Sequence, residues 1–284
     1  MRTIITGADG QLGQALHKVL TERGFDILDI PYYPDFDIAD HTAVPYLTEM
    51  YPELVIHCAA MTNVDACAKD PDEAFRVNAF GTQNVAHACL RCNAEMVYIS
   101  TNEVFSGQSD RPYTENDQPQ PINPYGSSKR AGEQMAAKYL PTGLYTVRTA
   151  WLYGGGNMFP EKILAAADKN GELRVVDDEI GNPTYSVDLA KAVVQLTQTR
   201  EYGTYHFINS GYCSRYDYAK EILRLSGRED VPIHPIALAD YPRPSVVPPF
   251  APLENSKGIG LGITFRSWQE ALETYFQEIS SKRI

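Results

Sequence analysis

The chain has 284 residues, of which 43% are hydrophobic and 21% are charged, a composition typical of a globular protein with one large domain or two modest ones. Its net charge of −11 argues against a general nucleic-acid-binding protein, because no basic tract offsets the acidic surplus. No apolar run is long enough to span a membrane, and the N-terminus becomes glycine-rich too early for a signal peptide, so we expect a cytoplasmic protein without a membrane partner.

The five cysteines do not indicate a disulfide framework, since their number is odd and no secretory signal precedes them. Cys89 and Cys92 have the spacing of metal ligands, but they lie in a predicted helix, and no second pair of Cys or His follows at a suitable distance. The sequence therefore predicts reduced, packed thiols and no metal site.

The chain opens with a predicted strand, a glycine turn and a helix. Residues 2–6 are rich in β-branched side chains, and apolar residues at helical spacing begin at Ala15. Between them, Gly7, Gly10 and Gly13 allow a tight turn and the close approach of a dinucleotide pyrophosphate to the start of the helix. The spacing differs by one residue from the usual dehydrogenase fingerprint, and an ordinary strand-to-helix turn is the alternative.

Two further strands are predicted in the same part of the chain. Residues 25–30 form the second strand, and Asp29 stands near its end, where an acid either binds the adenosine ribose or completes a turn. Residues 54–60 are a continuous apolar run, as expected of a buried parallel strand, and the two alanines at its end leave room for a cofactor. His57, inside this run, is interpreted as a core histidine rather than a catalyst.

A helix and another strand lead to the carboxyl edge of the predicted sheet. Residues 71–92 are helical in pattern, and Asn78 interrupts the buried face, so we expect it to bond a neighbouring backbone. Residues 96–100 form a buried strand that delivers Thr101 to the edge where ligands bind in open α/β sheets. Residues 106–124 form a polar, proline-rich loop that is longer than an ordinary connection between two elements, and we expect it to border a substrate.

Tyr125 and Lys129 lie four residues apart in a helix that Asn123 and Pro124 are suited to begin. This spacing puts both side chains on one face, one turn apart. A phenol titrates at about pH 10, and a neighbouring lysine cation lowers that pKa. With Thr101 holding a substrate oxygen against Tyr125, the pattern favours general acid–base chemistry at a carbonyl or alcohol, and a solvated helix face is the alternative.

The second half of the chain is less regular. Its predicted elements are helices at 159–169, 186–198, 214–226 and 267–280, and strands at 144–148, 172–176 and 205–208. The sequence predicts an α/β fold, with a Rossmann-like doubly wound parallel sheet in a dinucleotide-binding domain at 1–150. Residues 151–284 are expected to form a smaller α/β substrate-binding lobe, some segments of which return to the first domain.

Over nearly its whole length the chain resembles the extended short-chain dehydrogenase/reductase superfamily, and within it the dTDP-4-dehydrorhamnose reductase family. The order and spacing of several motifs carry the resemblance: Gly7 to Gly13, Ala59 to Asp65, Tyr98 to Thr101, Val104-Phe105, Tyr125 to Lys129, Gly132-Glu133, Arg148 to Gly154, Gly181 to Thr184, Gly203 to His206, and Arg243-Pro244.

The resemblance implies NAD(P)H-dependent reduction of the 4-keto group of a nucleotide sugar, with dTDP-4-dehydro-L-rhamnose giving dTDP-L-rhamnose. It implies that Tyr125 donates a proton to the ketone oxygen, that Lys129 lowers the pKa of Tyr125 and holds the nicotinamide ribose, and that Thr101 shares the substrate oxygen. The implied cofactor site comprises Gly7, Gly10, Gln11, Leu12, Gly13, Asp29, Asp37, Ile38, Ala59, Ala60, Met61, Tyr125 and Lys129. The implied substrate site comprises Thr101, Asn102, Glu103, Trp151, which packs on the sugar, and Arg243, which meets the diphosphate.

Three departures from the family pattern fall on the substrate side. Asn102-Glu103 stands where the family usually has Asp-Tyr, and Met158 stands where it usually has Asn. After Arg243-Pro244 a longer proline-rich stretch intervenes than is usual. The alternatives are therefore another extended enzyme, either an epimerase or a reductase of a different sugar, and a non-enzymatic relative of the regulatory subunit of methionine adenosyltransferase. A monomer or a homodimer is expected.

The residues around the predicted adenosine site favour NADH, with NADPH possible. No Arg or Lys lies between Asp29 and Asp40, whereas the 2′-phosphate of NADPH needs a cationic partner. A cation from elsewhere, such as Arg2, would reverse this expectation if it folded over the ribose.

Overall fold

The computed structural model describes residues 1–281 and contains a six-stranded sheet. The strands are β1 Arg2–Thr6, β2 Asp26–Leu28, β3 Leu54–His57, β4 Glu95–Thr101, β5 Leu144–Thr149, β6 Leu152–Tyr153, β7 Leu173–Val176, β8 Ile180–Gly181, β9 Thr184–Tyr185, β10 Gly203–His206, β11 Cys213–Ser214 and β12 Ile233–Ile236. The α-helices are α1 Gln11–Glu22, α2 Ala43–Glu49, α3 Val64–Lys69, α4 Pro71–Phe75, α5 Thr82–Cys92, α6 Pro124–Tyr139, α7 Phe159–Asn170, α8 Ser186–Thr197, α9 Arg215–Leu225, α10 Ser256–Gly260 and α11 Trp268–Ser281.

The central sheet is parallel throughout, with the strand order β10-β5-β4-β3-β1-β2. Its apolar strands are buried because helices cover both faces. One face packs on α1 and α8, through residues such as Leu16 and Val193. The other packs on α2, α5 and α6, through residues such as Leu47, Val85 and Ala136. The predicted doubly wound α/β fold is confirmed.

Strand β3 ends at His57, three residues earlier than predicted. Its neighbour β1 ends at Thr6, and the chain turns at Gly7 with φ of +67°. Ala59 therefore has no strand partner on that side and passes directly beneath the glycine turn, where a Cβ on Gly7 would lie 2.8 Å from the Ala59 nitrogen. The strand predicted at 25–30 is shortened at both ends, to β2, and the strand predicted at 205–208 begins and ends two residues earlier, as β10.

The helix predicted at 71–92 is interrupted by a π-helical turn over Arg76–Gly81, which separates α4 from α5. The turn contains Asn78, which is fully buried. Helical periodicity in the sequence does not reveal such a widened turn, since it changes the pattern by a single residue. The expectation that Asn78 bonds a neighbouring backbone is confirmed by two hydrogen bonds with Met61.

Segments from the second half of the chain return to the central sheet: β10 pairs with β5, and α8 packs against α1. A separate hydrophobic core joins α7, α9 and α11, with Tyr218, Ile222 and Leu272 fully buried. The parallel pair β7 and β12 packs beside this core. A domain boundary at residue 150 stays a prediction.

Candidate active site

The end of β4 forms a tight turn at the carboxyl edge of the sheet. Thr101 is buried, and its hydroxyl accepts a hydrogen bond from the Glu103 backbone at 3.2 Å and donates to Asn102 Oδ1 at 3.3 Å. Asn102 Nδ2 in turn donates to the carbonyl of Ala251 at 3.1 Å. The turn that carries Thr101 is thereby fixed to the C-terminal part of the chain.

The start of α6 is clamped against this turn. The Asn123 side chain caps the helix by accepting from the Gly126 backbone at 2.7 Å, as the sequence predicts, and Pro124 occupies the first turn. Asn123 Nδ2 donates to Glu103 Oε2 at 2.6 Å and to the Val246 carbonyl at 2.8 Å. A Cβ on Gly126 would lie 2.0 Å from the Glu103 carbonyl oxygen, so only glycine permits this close approach.

The clamp brings Tyr125 close to Thr101, as the sequence predicts. Burial raises the pKa of Tyr125, and the Glu103 carboxylate raises that pKa further, whereas Thr101 acts to lower it. Burial lowers the pKa of Lys129 to about 7. The pKa of Tyr125 is therefore raised overall because desolvation of the phenol dominates, and the prediction that Lys129 acts to lower this pKa stays a prediction.

Lys129 is held beneath the site by β4 and by its own helix. Its Nζ lies 4.2 Å from the centre of the Tyr98 ring, a contact that favours the charged ammonium. The Tyr98 hydroxyl donates to the Lys129 carbonyl at 3.1 Å, and a Cβ on Gly132 would lie 2.3 Å from that hydroxyl. The Gly132-Glu133 motif thus fixes α6 against β4.

Two hydrogen-bond networks that the sequence did not assign to the site also hold α6 in position. Glu133 accepts from Arg148 at 2.8 Å and from Ser100 at 2.7 Å, all three being buried, which ties α6 to β4 and β5. Asn78 accepts from the Met61 nitrogen at 2.8 Å and donates to Ser128 Oγ at 3.0 Å, which ties α6 to the loop after β3.

The glycine turn before α1 has the form of a phosphate cradle. A Cβ on Gly13 would lie 2.2 Å from the Gly7 carbonyl oxygen, so the turn packs closely on its helix. Gly10 caps α1 without a side-chain hydrogen bond, and no acidic residue lies in the first turn, so its N–H groups are open to an anion. The Gln11 carboxamide is buried, and neither of its polar atoms has a hydrogen-bond partner among residues 1–281. These features fit a dinucleotide.

The adenosine end of the predicted groove contains a cation that the sequence analysis missed. Asp37 accepts from Arg76 at 2.7 Å, and Glu73 binds the same guanidinium through both of its carboxylate oxygens. Asp29 lies beyond the end of β2 and is exposed. Arg2 starts β1 and donates to the Met50 carbonyl, so it lies at the opposite edge of the sheet and does not reach the ribose site.

Charged side chains gather on the substrate side, around Glu103. Burial raises the pKa of this carboxyl to about 7, while the hydrogen bond from Asn123 acts to lower it. Arg243 Nε donates to Asp65 Oδ1 at 3.0 Å. The charges of Arg243, Arg215 and Glu179 all act on the pKa of the Glu103 carboxyl, which indicates that the three side chains lie near it.

Trp151 is fixed by one of these charged side chains. The guanidinium carbon of Arg215 lies 3.6 Å from the centre of its ring, and Arg215 Nε donates to Glu179 at 2.9 Å. A Cβ on Gly181 would lie 2.5 Å from the indole, which explains the glycine there. The sequence analysis assigned no role to Arg215 or Glu179, which no local pattern marks, or to Asp65, which closes the Ala59 to Asp65 motif. The ligand roles of the site residues stay predictions.

His57 is a core residue, as predicted. Its ring bonds the hydroxyls of Thr6 at 2.6 Å and Thr82 at 3.1 Å, and burial lowers its pKa to about 3, so it is neutral. All five cysteines are free thiols. Within residues 1–281 there is no group of three or more His, Cys, Asp or Glu side chains placed to hold a metal ion, and no helix is long and apolar enough to cross a membrane.

Comparisons with known proteins agree with this geometry. The model of the family described as RmlD substrate binding domain matches residues 1–281. The dTDP-4-dehydrorhamnose reductase of Mycolicibacterium smegmatis is 36% identical over 96% of this chain and 84% of its own. The chain belongs to the dTDP-4-dehydrorhamnose reductase family. The spore coat polysaccharide biosynthesis protein SpsK of Bacillus subtilis is also similar, with 38% identity over 99% of this chain and 98% of its own.

Solved structures of this reductase family superpose closely. The dTDP-4-dehydrorhamnose reductase of Clostridium acetobutylicum has a TM-score of 0.94 and 38% identity, over 99% of this chain and all of its own. The Bacillus anthracis enzyme, in complex with NADP, has a TM-score of 0.93 and 38% identity, over 98% and 99% of the two chains. The predictions of the family and of an NAD(P)H-dependent oxidoreductase that acts on a nucleotide-sugar 4-ketone are confirmed.

More distant structures share the fold of this reductase. The UDP-glucose 4-epimerase of Thermus thermophilus, in complex with NAD, has a TM-score of 0.82 at 20% identity. That likeness is one of fold alone and gives no support to an epimerase activity in this chain. A nicotinamide dinucleotide is the cofactor class of this family.

Proposed function

We propose that this protein reduces dTDP-4-dehydro-L-rhamnose to dTDP-L-rhamnose. The observation that carries the proposal is the clamp of Asn123 and Gly126, which sets Tyr125 of α6 beside Thr101 at the carboxyl edge of the sheet, with Lys129 one helical turn further on. The open N-terminus of α1 lies at the same edge. The curated relatives named dTDP-4-dehydrorhamnose reductase support this choice of sugar.

The bound nicotinamide cofactor supplies the hydride to C4 of the sugar, and the protein supplies the proton. Tyr125 donates its phenolic proton to the C4 oxygen as the oxygen gains negative charge. The raised pKa of Tyr125 keeps the phenol protonated at neutral pH, which is the form that a reductase needs. The Thr101 hydroxyl hydrogen-bonds the same oxygen and orients it.

Lys129 has two roles in the proposal. Its Nζ hydrogen-bonds the nicotinamide ribose, and its charge stabilises the phenolate left after Tyr125 has given up the proton. With a pKa of about 7, the ammonium is also a proton source for restoring the phenol, and solvent then recharges the lysine.

The cofactor lies along the carboxyl edge of the sheet. The backbone of Gly10, Gln11 and Leu12, at the start of α1, binds the pyrophosphate, for which the helix dipole is favourable. Residues 59–61 line the groove, and Asp37 and Ile38 flank the adenine.

The cofactor preference is for NADH over NADPH. The Arg76 guanidinium is already shared between Asp37 and Glu73, so a 2′-phosphate at this end would compete with two carboxylates. Placing it beside them near the surface costs about 1 kcal/mol, which corresponds to about fivefold in the specificity constant. The NADP complex of the Bacillus anthracis relative supports NADPH as a usable cofactor.

The substrate binds between the Thr101 turn and the second lobe. Trp151, stacked on Arg215, offers a fixed apolar surface to the sugar. Arg243 Nε donates to Asp65, and the two terminal nitrogens of the guanidinium have no hydrogen-bond partner among residues 1–281, so they can bind the diphosphate oxygens. Glu103 replaces the aromatic residue usual in the family and shapes the choice of sugar. The predicted monomer or homodimer and the predicted cytoplasmic location stay predictions.

A panel of nucleotide 4-keto sugars tests the proposal. Each sugar is incubated with the protein and reduced cofactor, and both cofactor oxidation and the reduced sugar product are measured. We expect the highest specificity constant for dTDP-4-dehydro-L-rhamnose. Faster turnover of another sugar would overturn the substrate assignment, and no cofactor oxidation with any sugar would overturn the reductase activity.

A further inference from the structure

Thr149, the last residue of β5, carries a polar group that the fold leaves without a partner. The residue is only 7% exposed, and its hydroxyl makes no hydrogen bond to any of residues 1–281. A buried hydroxyl without a hydrogen bond costs free energy, so such groups in folded proteins ordinarily meet a ligand or a water. Nothing in the packing of β5 itself requires a hydroxyl at this position.

The register of the sheet places Thr149 beside the catalytic turn. Thr149 is the β-ladder partner of Thr101 on the neighbouring strand. Side chains alternate along each strand, and Arg148 points to the α6 face, where it bonds Glu133. Thr149 therefore points to the other face, the one that packs on α1 and α8, together with Val147.

Gln11 provides a second, independent observation on the same face of the sheet. Both polar atoms of its carboxamide are buried without a partner among the described residues, and Gln11 begins α1, which packs on this same face. A dinucleotide whose pyrophosphate lies at the start of α1 must extend from there toward the ends of β4 and β5 to reach Tyr125. Its nicotinamide end then lies between the two unpartnered groups.

We infer that Thr149 binds the carboxamide of the nicotinamide ring through its hydroxyl, and so fixes which face of the ring is turned toward the sugar. The nicotinamide carboxamide has both hydrogen-bond donors and an acceptor, so it can pair with the Thr149 hydroxyl whether that hydroxyl donates or accepts. The Gln11 carboxamide, at the start of α1, lies toward the pyrophosphate end of the same path. This inference rests on the nicotinamide cofactor of the proposed function.

Binding measurements without sugar test the inference separately from turnover. The variants are Thr149→Val, which removes only the hydroxyl, Thr149→Ser, which retains it, and Thr146→Val, a buried control on the same strand that points to the opposite face. The dissociation constants of NADH and of ADP-ribose, which lacks the nicotinamide ring, are measured by calorimetry, together with the melting temperature of each free protein.

We expect Thr149→Val to weaken NADH binding roughly tenfold, the effect of one lost hydrogen bond that leaves its partner unsatisfied. ADP-ribose binding should stay within about twofold in this variant. Its melting temperature should not fall, because the hydroxyl has no protein partner to lose. Thr149→Ser should retain NADH affinity, and Thr146→Val should leave both ligands unaffected.

Three results would overturn the inference. Unchanged NADH affinity in Thr149→Val, with a raised KM for the sugar, would indicate that the hydroxyl contacts the sugar and not the nicotinamide. Equal losses for NADH and ADP-ribose would indicate a distorted groove rather than a lost contact. A lower melting temperature for Thr149→Val, with NADH affinity lost in Thr149→Ser as well, would make the side chain a packing residue. Absence of turnover with every sugar would contradict the proposed function but would leave this binding result intact.

Discussion

Asn123 is expected to couple stability to catalysis, because one side chain holds both the catalytic helix and the Thr101 turn. In Asn123→Ala the helix cap on Gly126 is lost, at a cost of about 1 kcal/mol. The half-buried Glu103 carboxyl also loses its hydrogen-bond donor, at a further cost of about 1–2 kcal/mol. The free energy of unfolding should fall by about 2–3 kcal/mol.

The same substitution should lower kcat by about 10- to 100-fold, since Tyr125 is no longer held at a fixed distance from Thr101. Asn63→Ala is the matched control: Asn63 caps α3 by accepting from Ala66 at 2.9 Å and should cost only about 1 kcal/mol, without an effect on kcat. Urea unfolding and steady-state kinetics measure both quantities. If Asn123→Ala cost no more than the control, or left kcat unchanged, the clamp would not position Tyr125.

Three further predictions concern the charges of the site. Lys129→Met, which keeps the buried stem, should weaken NADH binding and lower kcat together, and an unchanged dissociation constant would remove the lysine from the ribose. The pKa of Glu103 is raised to about 7, so its contribution to stability is full at low pH and is lost as the pH rises through 7. Glu103→Gln should therefore have a higher free energy of unfolding than the parent protein at pH 8, by about 1–3 kcal/mol, and this gain should be smaller at pH 5. Unfolding titrations at both pH values measure the gain, and an equal gain at the two pH values would refute the raised pKa of Glu103. Asp37→Asn should raise the NADPH-to-NADH ratio of kcat/KM, measured at one ionic strength, by freeing Arg76, and an unchanged or lower ratio would place the 2′-phosphate elsewhere.

The sequence alone was sufficient for the parts of the molecule that local pattern determines. The glycine turn before α1, the buried strands and the one-turn spacing of Tyr125 and Lys129 depend on neighbours in the chain, and the structure contains each of them, with some strand ends displaced by one to three residues. The cap at Asn123 is likewise a local signal, because it requires only a polar side chain before Pro124.

Local pattern did not reveal contacts made between distant parts of the chain. Arg76 meets Asp37 across 39 positions, and Arg243 meets Asp65 across 178, so no window of sequence contains both partners. The lowered pKa of Lys129 could not be predicted for the same reason, since its burial depends on how α6 packs on β4. Spacing gives the direction of a side chain, whereas desolvation is set by the whole fold.

The proton-donor role of Tyr125 is the central claim, and Tyr125→Phe tests it most directly. The substitution removes one oxygen and leaves the ring, so NADH affinity should stay within a few-fold while kcat with dTDP-4-dehydro-L-rhamnose falls by about 100- to 10,000-fold. Single-turnover kinetics with saturating NADH and sugar separate this chemical step from binding. A variant that kept more than about a tenth of the parent rate would contradict the assignment of Tyr125 as the proton donor.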